Sequence, residues 1–410
     1  MWIFAGAASG LIAVSYLNGM KIGIDARFAL RNRRGIGNYT LKLLQCLAQV
    51  DKLNEYVFYG DTDDLGNVLP KQDNVKLFKL RSLNYFLWEQ LSLPLQADRD
   101  GLDILHCTGN TAPIWSVGKY KLIVTVHDVM YMKDYTVLAQ SMSMYQRLGR
   151  IYRKTIVPRA VSHANKIITV SNYSKKDICL HLPKIKENTI VVTYEAAGEK
   201  FSEMSPGEKG KTVAAKLGVT NDYVFTLGAL DPRKNTQMVI DSFLSLKQTK
   251  QLNLSLIISG IPKWRSSVFY KTIQQSDFAR DIVFTEFITQ EELVGLYQGA
   301  KVFLYPSLYE GFGIPPLEAM ACGAPVITSN TTSIPEIAGD AALLINPASS
   351  KELEDAIFRL LTDEGLRKSY IEKGFKRAKE FSWRKMAEET LNVYESVYRG
   401  ADSFAFAPLK

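Results

Sequence analysis

A chain of 410 residues is long enough for two globular domains, and a balance of 46% apolar and 22% charged residues excludes a disordered or fibrous protein. Cys46, Cys107, Cys179 and Cys322 stand far apart without a CxxC pair. That spacing argues against a zinc ribbon or a disulfide framework and fits reduced thiols in the cytosol. The net charge of +8 is concentrated: residues 140–186 hold ten Lys/Arg against one acid, Asp177, a local net of +9.

Met1 is followed by WIFAGAASGLIAVSYL, a largely apolar run of 16 residues without the basic start of a signal peptide. A bilayer span needs about 20. Residues 1–19 therefore read as an extension ahead of a true start at Met20, with a weak membrane anchor as the alternative. From Met20 onward, short apolar runs alternate with helical spacing. KIGIDA, EYVFYG, DILHC, KLIVTVHDV, NKIITVS and TIVVTY predict strands, and GNYTLKLLQCLAQV predicts a helix. Strands alternating with helices imply a parallel, doubly wound sheet.

Within the basic segment, Arg147, Arg150 and Lys154 share one face of a helix, with Met144, Leu148 and Ile151 beside them. The pattern fits a surface that meets anionic lipid or an acidic substrate; a solvated helix face is the plainer alternative. No RNA- or DNA-binding motif accompanies the charge, so nucleic acid is not an expected partner.

Glu195–Thr212 is rich in Gly, Pro, Ser and charge, which predicts a linker. The alternation then restarts with DYVFTLGAL, LSLIISG, DIVFTEF, AKVFLYPS, APVITSN and AALLIN. The last helix, SWRKMAEETLNVYESVYRG, has a Ser382 cap. The expected fold class is α/β, two doubly wound Rossmann-like domains facing a cleft. The expected divisions are an extension over 1–19, a first domain over 20–200, a second over 201–382, and a C-terminal helix and tail over 383–410.

PSLYEGFGIPPLEAMACGAPVI, residues 306–327, cannot be a single helix. Gly311 and Gly313 allow a loop that backbone or ligand can approach closely, and Pro315 and Pro316 start a helix with Glu318 in its first turn. Strand C-termini facing helix N-termini are where doubly wound sheets bind phosphate-linked ligands. Glu310 and Glu318, separated by seven residues, would then grip two ends of one polyhydroxylated ligand. On the glutamates alone, a dipole-favoured and a solvated carboxylate would serve as well.

The whole stretch resembles family 4 of the glycosyltransferases, retaining enzymes of GT-B architecture, whose signature holds two glutamates separated by seven residues. GALDPRKN (228–235), SIPEIAGDAALLINP (333–347) and TVHDV (125–129) resemble further segments of that family. The resemblance implies hexosyl transfer without a metal ion or resident cofactor, from a nucleotide-diphosphate sugar to a glycan or lipid-linked acceptor. DPRKN makes GDP-mannose the first donor expected. It implies that Glu318 binds ribose and Glu310 the transferred sugar, that the backbone of Phe312, Gly313 and Ile314 lines the sugar–phosphate site, and that Arg233 and Lys234 neutralise the diphosphate. His127 would contact the sugar near the reacting carbon. Gly35 and Gly37 would let the N-terminal loop approach the phosphates. Where some members carry an Arg after the first glycine of the phosphate segment, this chain has Ala229, leaving the charge to Arg233 and Lys234 with help from Arg33 or Arg34. The expected location is the cytoplasm, peripheral on the inner face of the membrane.

Other signals carry less. Asp61 and Asp63 in GDTDDLG read as a solvated loop rather than a metal-binding Asp-x-Asp pair. RGIG lacks the third glycine of a dinucleotide fingerprint. His106 is a secondary candidate for the cleft, and His163 and His181 read as structural or exposed. A GT-B nucleotide-sugar epimerase and a nonenzymatic nucleotide-sugar-binding protein are the alternatives.

Overall fold

The computed structural model describes residues 19–31, 35–115, 118–133, 144–202 and 208–400. The extension over 1–18, Arg33 and Arg34, the start of the basic segment at 140–143 and the tail from 401 lie outside the described residues.

Two parallel sheets form the frame. The first contains β1 (Lys21–Asp25), β2 (Glu55–Gly60), β3 (Val75–Lys79), β4 (Ile104–Cys107), β5 (Lys121–Thr125), β6 (Lys166–Thr169) and β7 (Ile190–Val192), in the order β3-β2-β1-β4-β5-β6-β7. The second contains β8 (Asp222–Leu227), β9 (Leu254–Ser259), β10 (Ile282–Thr285), β11 (Val302–Tyr305), β12 (Val326–Ser329) and β13 (Ala342–Ile345), in the order β10-β9-β8-β11-β12-β13. The inner strands are apolar on both faces because helices cover both sides. β3 escaped the sequence reading: VKLFK is an edge strand, mostly exposed, with no apolar run to mark it.

The helices that position the site are α1 (Gly35–Val50), α2 (Met144–His163), α3 (Asn172–His181), α4 (Thr236–Lys250), α5 (Gln290–Gly299), α6 (Ile314–Ala321) and α7 (Trp383–Arg399). The hydroxyl of Ser382 accepts from the Lys385 N–H and so caps α7. Trp383, Met386, Ala387, Thr390, Val393, Tyr394 and Val397 form its buried stripe, at helical spacing. α7 belongs to the end of the chain, yet it packs on α1 in the first lobe.

The Glu195–Thr212 stretch is not a free linker. Glu195, Ala196 and Phe201 are buried, the Phe201 carbonyl accepts from Cys322 Sγ, and the helix Glu208–Lys216 starts within it. Its few apolar side chains sit where the core needs them, which an average over composition does not reveal.

Candidate active site

In the second sheet the strand order reverses between the neighbours β8 and β11, the switch point where an open α/β sheet leaves a crevice at its strand ends. The loops leaving these strands are tied together. The Leu308 N–H donates to the Arg233 carbonyl at 2.8 Å. Asn235, left-handed at φ 55°, donates its side-chain amide to the Pro306 and Pro347 carbonyls at 3.1 and 2.7 Å. This clip carries Lys234 to Glu310: Lys234 Nζ lies 2.7 Å from Glu310 Oε1 and also donates to the Tyr305 hydroxyl, which itself donates to Glu310 Oε1 at 2.9 Å. Burial opposes both charges, but each outweighs that cost for the other. The Lys234 ammonium is held above the usual lysine value and the Glu310 carboxyl below the usual carboxylate range.

Arg233 does not reach the same pair. Its guanidinium forks onto Asp231, with Nη2 2.6 Å from Oδ2. The loop thus presents one lysine shared with a glutamate and one arginine already neutralised by its neighbour.

Gly313 stands at φ +108° and turns the chain into α6 at Ile314. The helix therefore begins earlier than the prolines suggested. Glu318 lies in its second turn, not its first, so the expected dipole contact is lost. Instead Glu318 Oε2 accepts from the Tyr297 hydroxyl at 3.2 Å, and burial pushes its carboxyl up to about 7. No side chain caps α6. Since Pro315 and Pro316 lack N–H groups, the donors at its N-terminus are Gly313 and Ile314. The carbonyls of Glu310 and Phe312 are taken by the Ser333 hydroxyl, and the Phe312 ring is buried against Tyr194 and Phe381. Phe303 bridges the two glutamate-holding tyrosines, with ring centroids 4.9 Å from Tyr297 and 5.9 Å from Tyr305.

The first lobe meets this loop at His127, just beyond β5. A Cβ on Gly311 would lie 2.5 Å from the His127 carbonyl oxygen, so only glycine fits. The Ser171 and Ser174 hydroxyls donate to the Gly311 carbonyl at 2.6 and 2.9 Å. The His127 ring is buried. Its Nε2 donates to the Thr108 carbonyl at 3.0 Å, and its Nδ1 lies 3.4 Å from Glu195 Oε1. Both ring nitrogens thus face protein acceptors. Gly35 and Gly37 form the first turn of α1 rather than a loop.

His106 does not face the cleft. It is fully buried, with Nδ1 2.6 Å from the Tyr394 hydroxyl of α7 and Nε2 2.7 Å from Thr125 Oγ1. Burial pulls it down to about 3 and keeps it neutral. Asp61 pairs with Arg31 and Asp63 with Lys79, so the two carboxylates part toward different cations. Among the described residues no group of three or more His, Cys, Asp or Glu is placed to hold a metal ion. Sequence reading missed Tyr297, Tyr305, Asn235, Ser333 and Glu195; only their place at strand ends or beside the motif could have flagged them.

Residues 33–196 match the Glycosyltransferase Family 4 description and residues 212–377 match Glycosyl transferases group 1. The chain belongs to these glycosyltransferases. It is 29% identical over 382 residues to the O-antigen chain mannosyltransferase B of Escherichia coli, covering 88% of this chain and 96% of that one. It is 26% identical over 336 residues to the O-antigen chain mannosyltransferase RfbU of Salmonella typhimurium, covering 79% and 86%. In fold, the glycosyltransferase is similar to WaaG, a glycosyltransferase involved in lipopolysaccharide biosynthesis, with TM-score 0.68, 16% identity and coverage of 92% and 99%. It is also similar to sucrose-phosphate synthase from Thermosynechococcus elongatus, with TM-score 0.72, 18% identity and coverage of 93% and 100%. The two-lobed GT-B architecture expected from the sequence is what these neighbours share.

Proposed function

We propose that this glycosyltransferase moves mannose from GDP-mannose, with retention of configuration and without a metal ion or resident cofactor, to a glycan or lipid-linked acceptor of a surface polysaccharide. The observation that carries the reading is the Lys234–Glu310–Tyr305 cluster beside the uncapped start of α6, at the switch point of the second sheet. A leaving diphosphate develops negative charge. Lys234 and the N–H groups of Gly313 and Ile314 are fixed donors for it, and Glu310 is released from Lys234 to hold sugar hydroxyls. Glu318 takes the ribose hydroxyls. Arg233 adds charge once a phosphate competes with Asp231. The phosphate oxygen that leaves takes the acceptor proton on the same face of the sugar, which accounts for retention without a carboxylate nucleophile. The names of the mannosyltransferase relatives support the choice of sugar.

The acceptor's lipid suits α2, where Met144, Leu148 and Ile151 are 72%, 59% and 61% exposed along one face. Arg150 is not part of a free cationic face, as the spacing had suggested: it is anchored on the Tyr131 and Lys133 carbonyls. The apolar stripe with Arg147 beside it is read as resting on an anionic inner leaflet. No helix among the described residues is long and apolar enough to cross a membrane.

A thermal-shift series with GDP-, UDP-, dTDP- and ADP-sugars tests the donor. GDP-mannose raises the melting temperature most, and a larger rise with a UDP-sugar would overturn the base assignment. The anomeric configuration of the product tests retention. Sedimentation with phosphatidylglycerol vesicles, but not with neutral ones, tests the membrane contact; equal recovery from both would sink it.

A further inference from the structure

The chain crosses between lobes through Thr193–Ala197, and two adjacent residues of that crossing hold functional groups. Tyr194 donates its hydroxyl to Glu336 of the second lobe at 2.8 Å. Glu195 turns inward and is 5% exposed, with Oε1 3.4 Å from His127 Nδ1. Glu195 lies outside the four segments, 125–129, 228–235, 306–327 and 333–347, that carry the resemblance.

Tyr39 and the Thr108 carbonyl, which pack on the His127 ring, carry no ionic charge; Asp128, the next residue in the chain, is a carboxylate. Tyr39 of α1 meets it edge-on at 4.6 Å between centroids, and burial holds that phenol well above its usual range. The Thr108 carbonyl takes Nε2–H, and the Asn110 side-chain oxygen takes the His127 backbone N–H at 2.7 Å. His106 lies behind Thr125, neutral and bound to Tyr394. Asp128, the next residue, accepts from the Met130 N–H at 3.0 Å. Among the described residues no lysine or arginine pairs with Glu195, so its carboxylate is matched by the imidazole.

A carbonyl oxygen and a carboxylate oxygen are both acceptors. A ring set between them is held attractively only when each nitrogen presents a hydrogen. In that state it carries positive charge, with Nε2–H bonded to the Thr108 carbonyl and Nδ1 at an ion-pair distance of 3.4 Å from Glu195, at the point where the His127 backbone abuts the loop bearing Glu310.

We propose that Glu195 is a positioning residue for transfer: it locks His127 with Nδ1–H directed at its carboxylate and makes the ring a fixed cation beside the donor site. The proposal rests on the reading of His127 as part of that site. Because Tyr194 and Glu195 are adjacent, the same crossing that fastens the lobes also orients the ring.

The test uses the full chain with ring-nitrogen-labelled histidine, the His127 signals being those lost in His127→Gln. In the unsubstituted protein at neutral pH, nitrogen NMR shows His127 Nδ1 as an N–H. In Glu195→Gln, which keeps the shape but not the charge, Nδ1 becomes the unprotonated type; in Glu195→Asp it remains N–H. An unprotonated Nδ1 at the outset, or a spectrum unchanged by Glu195→Gln, overturns the proposal. With GDP-mannose as probe, Glu195→Gln lowers kcat about 10- to 100-fold and leaves KM within about twofold, the size expected for one preorganised charge. His127→Gln/Glu195→Gln is no slower than His127→Gln alone; additive losses overturn the proposal. Turnover of GDP-mannose by none of the forms, with the NMR change intact, refutes the donor assignment and leaves the positioning role supported.

Discussion

At the residue scale, the site is a set of charges that burial would forbid singly. Lys234 is 26% and Glu310 13% exposed at the side chain, and each makes the other tolerable. Lys234→Ala therefore removes the proposed phosphate donor and also leaves a carboxylate stranded. Transfer falls about 100- to 1,000-fold. Glu310→Gln leaves Lys234 Nζ an acceptor oxygen but removes its counter-charge, so kcat falls by a similar factor and the melting temperature falls as well; a kinetic assay beside a thermal melt checks both. Tyr305→Phe removes one hydroxyl from the cluster and loses about fivefold, the worth of a single hydrogen bond of about 1 kcal/mol. Glu318 gives a pH signature. Its carboxyl is pushed up to about 7 by burial, so at pH 6 it is mostly neutral and at pH 8 mostly ionised. A ribose diol donates best to the ionised form. GDP-mannose binds about tenfold more tightly at pH 8 than at pH 6, since only the fraction already ionised is ready to receive it. The sugar nucleotide diphosphate does not itself titrate there, so calorimetry at the two pH values reads Glu318 directly, and Glu318→Gln flattens the difference. Without ligand the sign is opposite: the folded state prefers the neutral acid, so this group's contribution to stability declines as pH rises from the ordinary carboxylate range through 7.

At the element scale, the loop of residues 306–313 is built around close approach. A methyl on Gly311 meets the His127 carbonyl at 2.5 Å, and that oxygen belongs to backbone held by the Ser174 hydroxyl at 3.0 Å. Gly311→Ala pushes the lobes apart rather than unfolding either one. The expected result is a loss of at least tenfold in kcat/KM, with each sheet's far-ultraviolet signature retained. Gly313→Ala acts differently. At φ +108° an alanine is strained by about 1–3 kcal/mol, and its Cβ would press on Ile334 Cδ1 at 2.6 Å, so the melting temperature falls by several degrees. These elements were largely legible in the sequence because two glycines and two prolines in one short run leave the backbone few choices. The strands were legible for another reason: parallel strands covered on both faces are plain apolar runs. What stayed hidden was pairing at a distance. His106 and Tyr394 are 288 residues apart and share one hydrogen bond. A lone histidine at a strand end looks the same whether it faces a cleft or another helix. Glu195 was masked by its neighbours, since a polar, glycine-containing stretch averages to a linker although one carboxylate in it is buried. The start of α6 was misplaced because the prolines advertise a first turn, whereas the left-handed glycine before them sets it.

At the scale of the whole molecule, one carboxylate ties the two lobes together through four hydrogen bonds. Glu336, in the short helix after β12, accepts from the Asn172 and Tyr173 backbone N–H groups at 2.8 and 3.0 Å, from the Asn172 side chain at 2.9 Å and from the Tyr194 hydroxyl at 2.8 Å. Those backbone donors are the free first turn of α3, whose dipole also favours a negative charge there. On its own side, the Glu336 carbonyl is held by Arg377, so the anchor is rigid at both ends. A carboxylate meeting oriented donors at a partly buried joint contributes about 1.5–3 kcal/mol to the closed arrangement. Glu336→Gln keeps the size and one acceptor oxygen but loses the charge and turns the second oxygen into a donor facing donors. The closed population then falls by about 10- to 100-fold relative to the open one. Small-angle scattering without ligand shows a larger radius of gyration for Glu336→Gln than for the parent, and saturating GDP-mannose narrows the gap because donor contacts in both lobes supply the lost closure energy. KM for the donor rises about 10-fold or more while kcat at saturation changes little, since the closed, ligand-filled state is the same in both proteins. Identical scattering curves without ligand would show that closure does not depend on this carboxylate; a fall in kcat with unchanged KM would place Glu336 in the chemical step instead of at the joint.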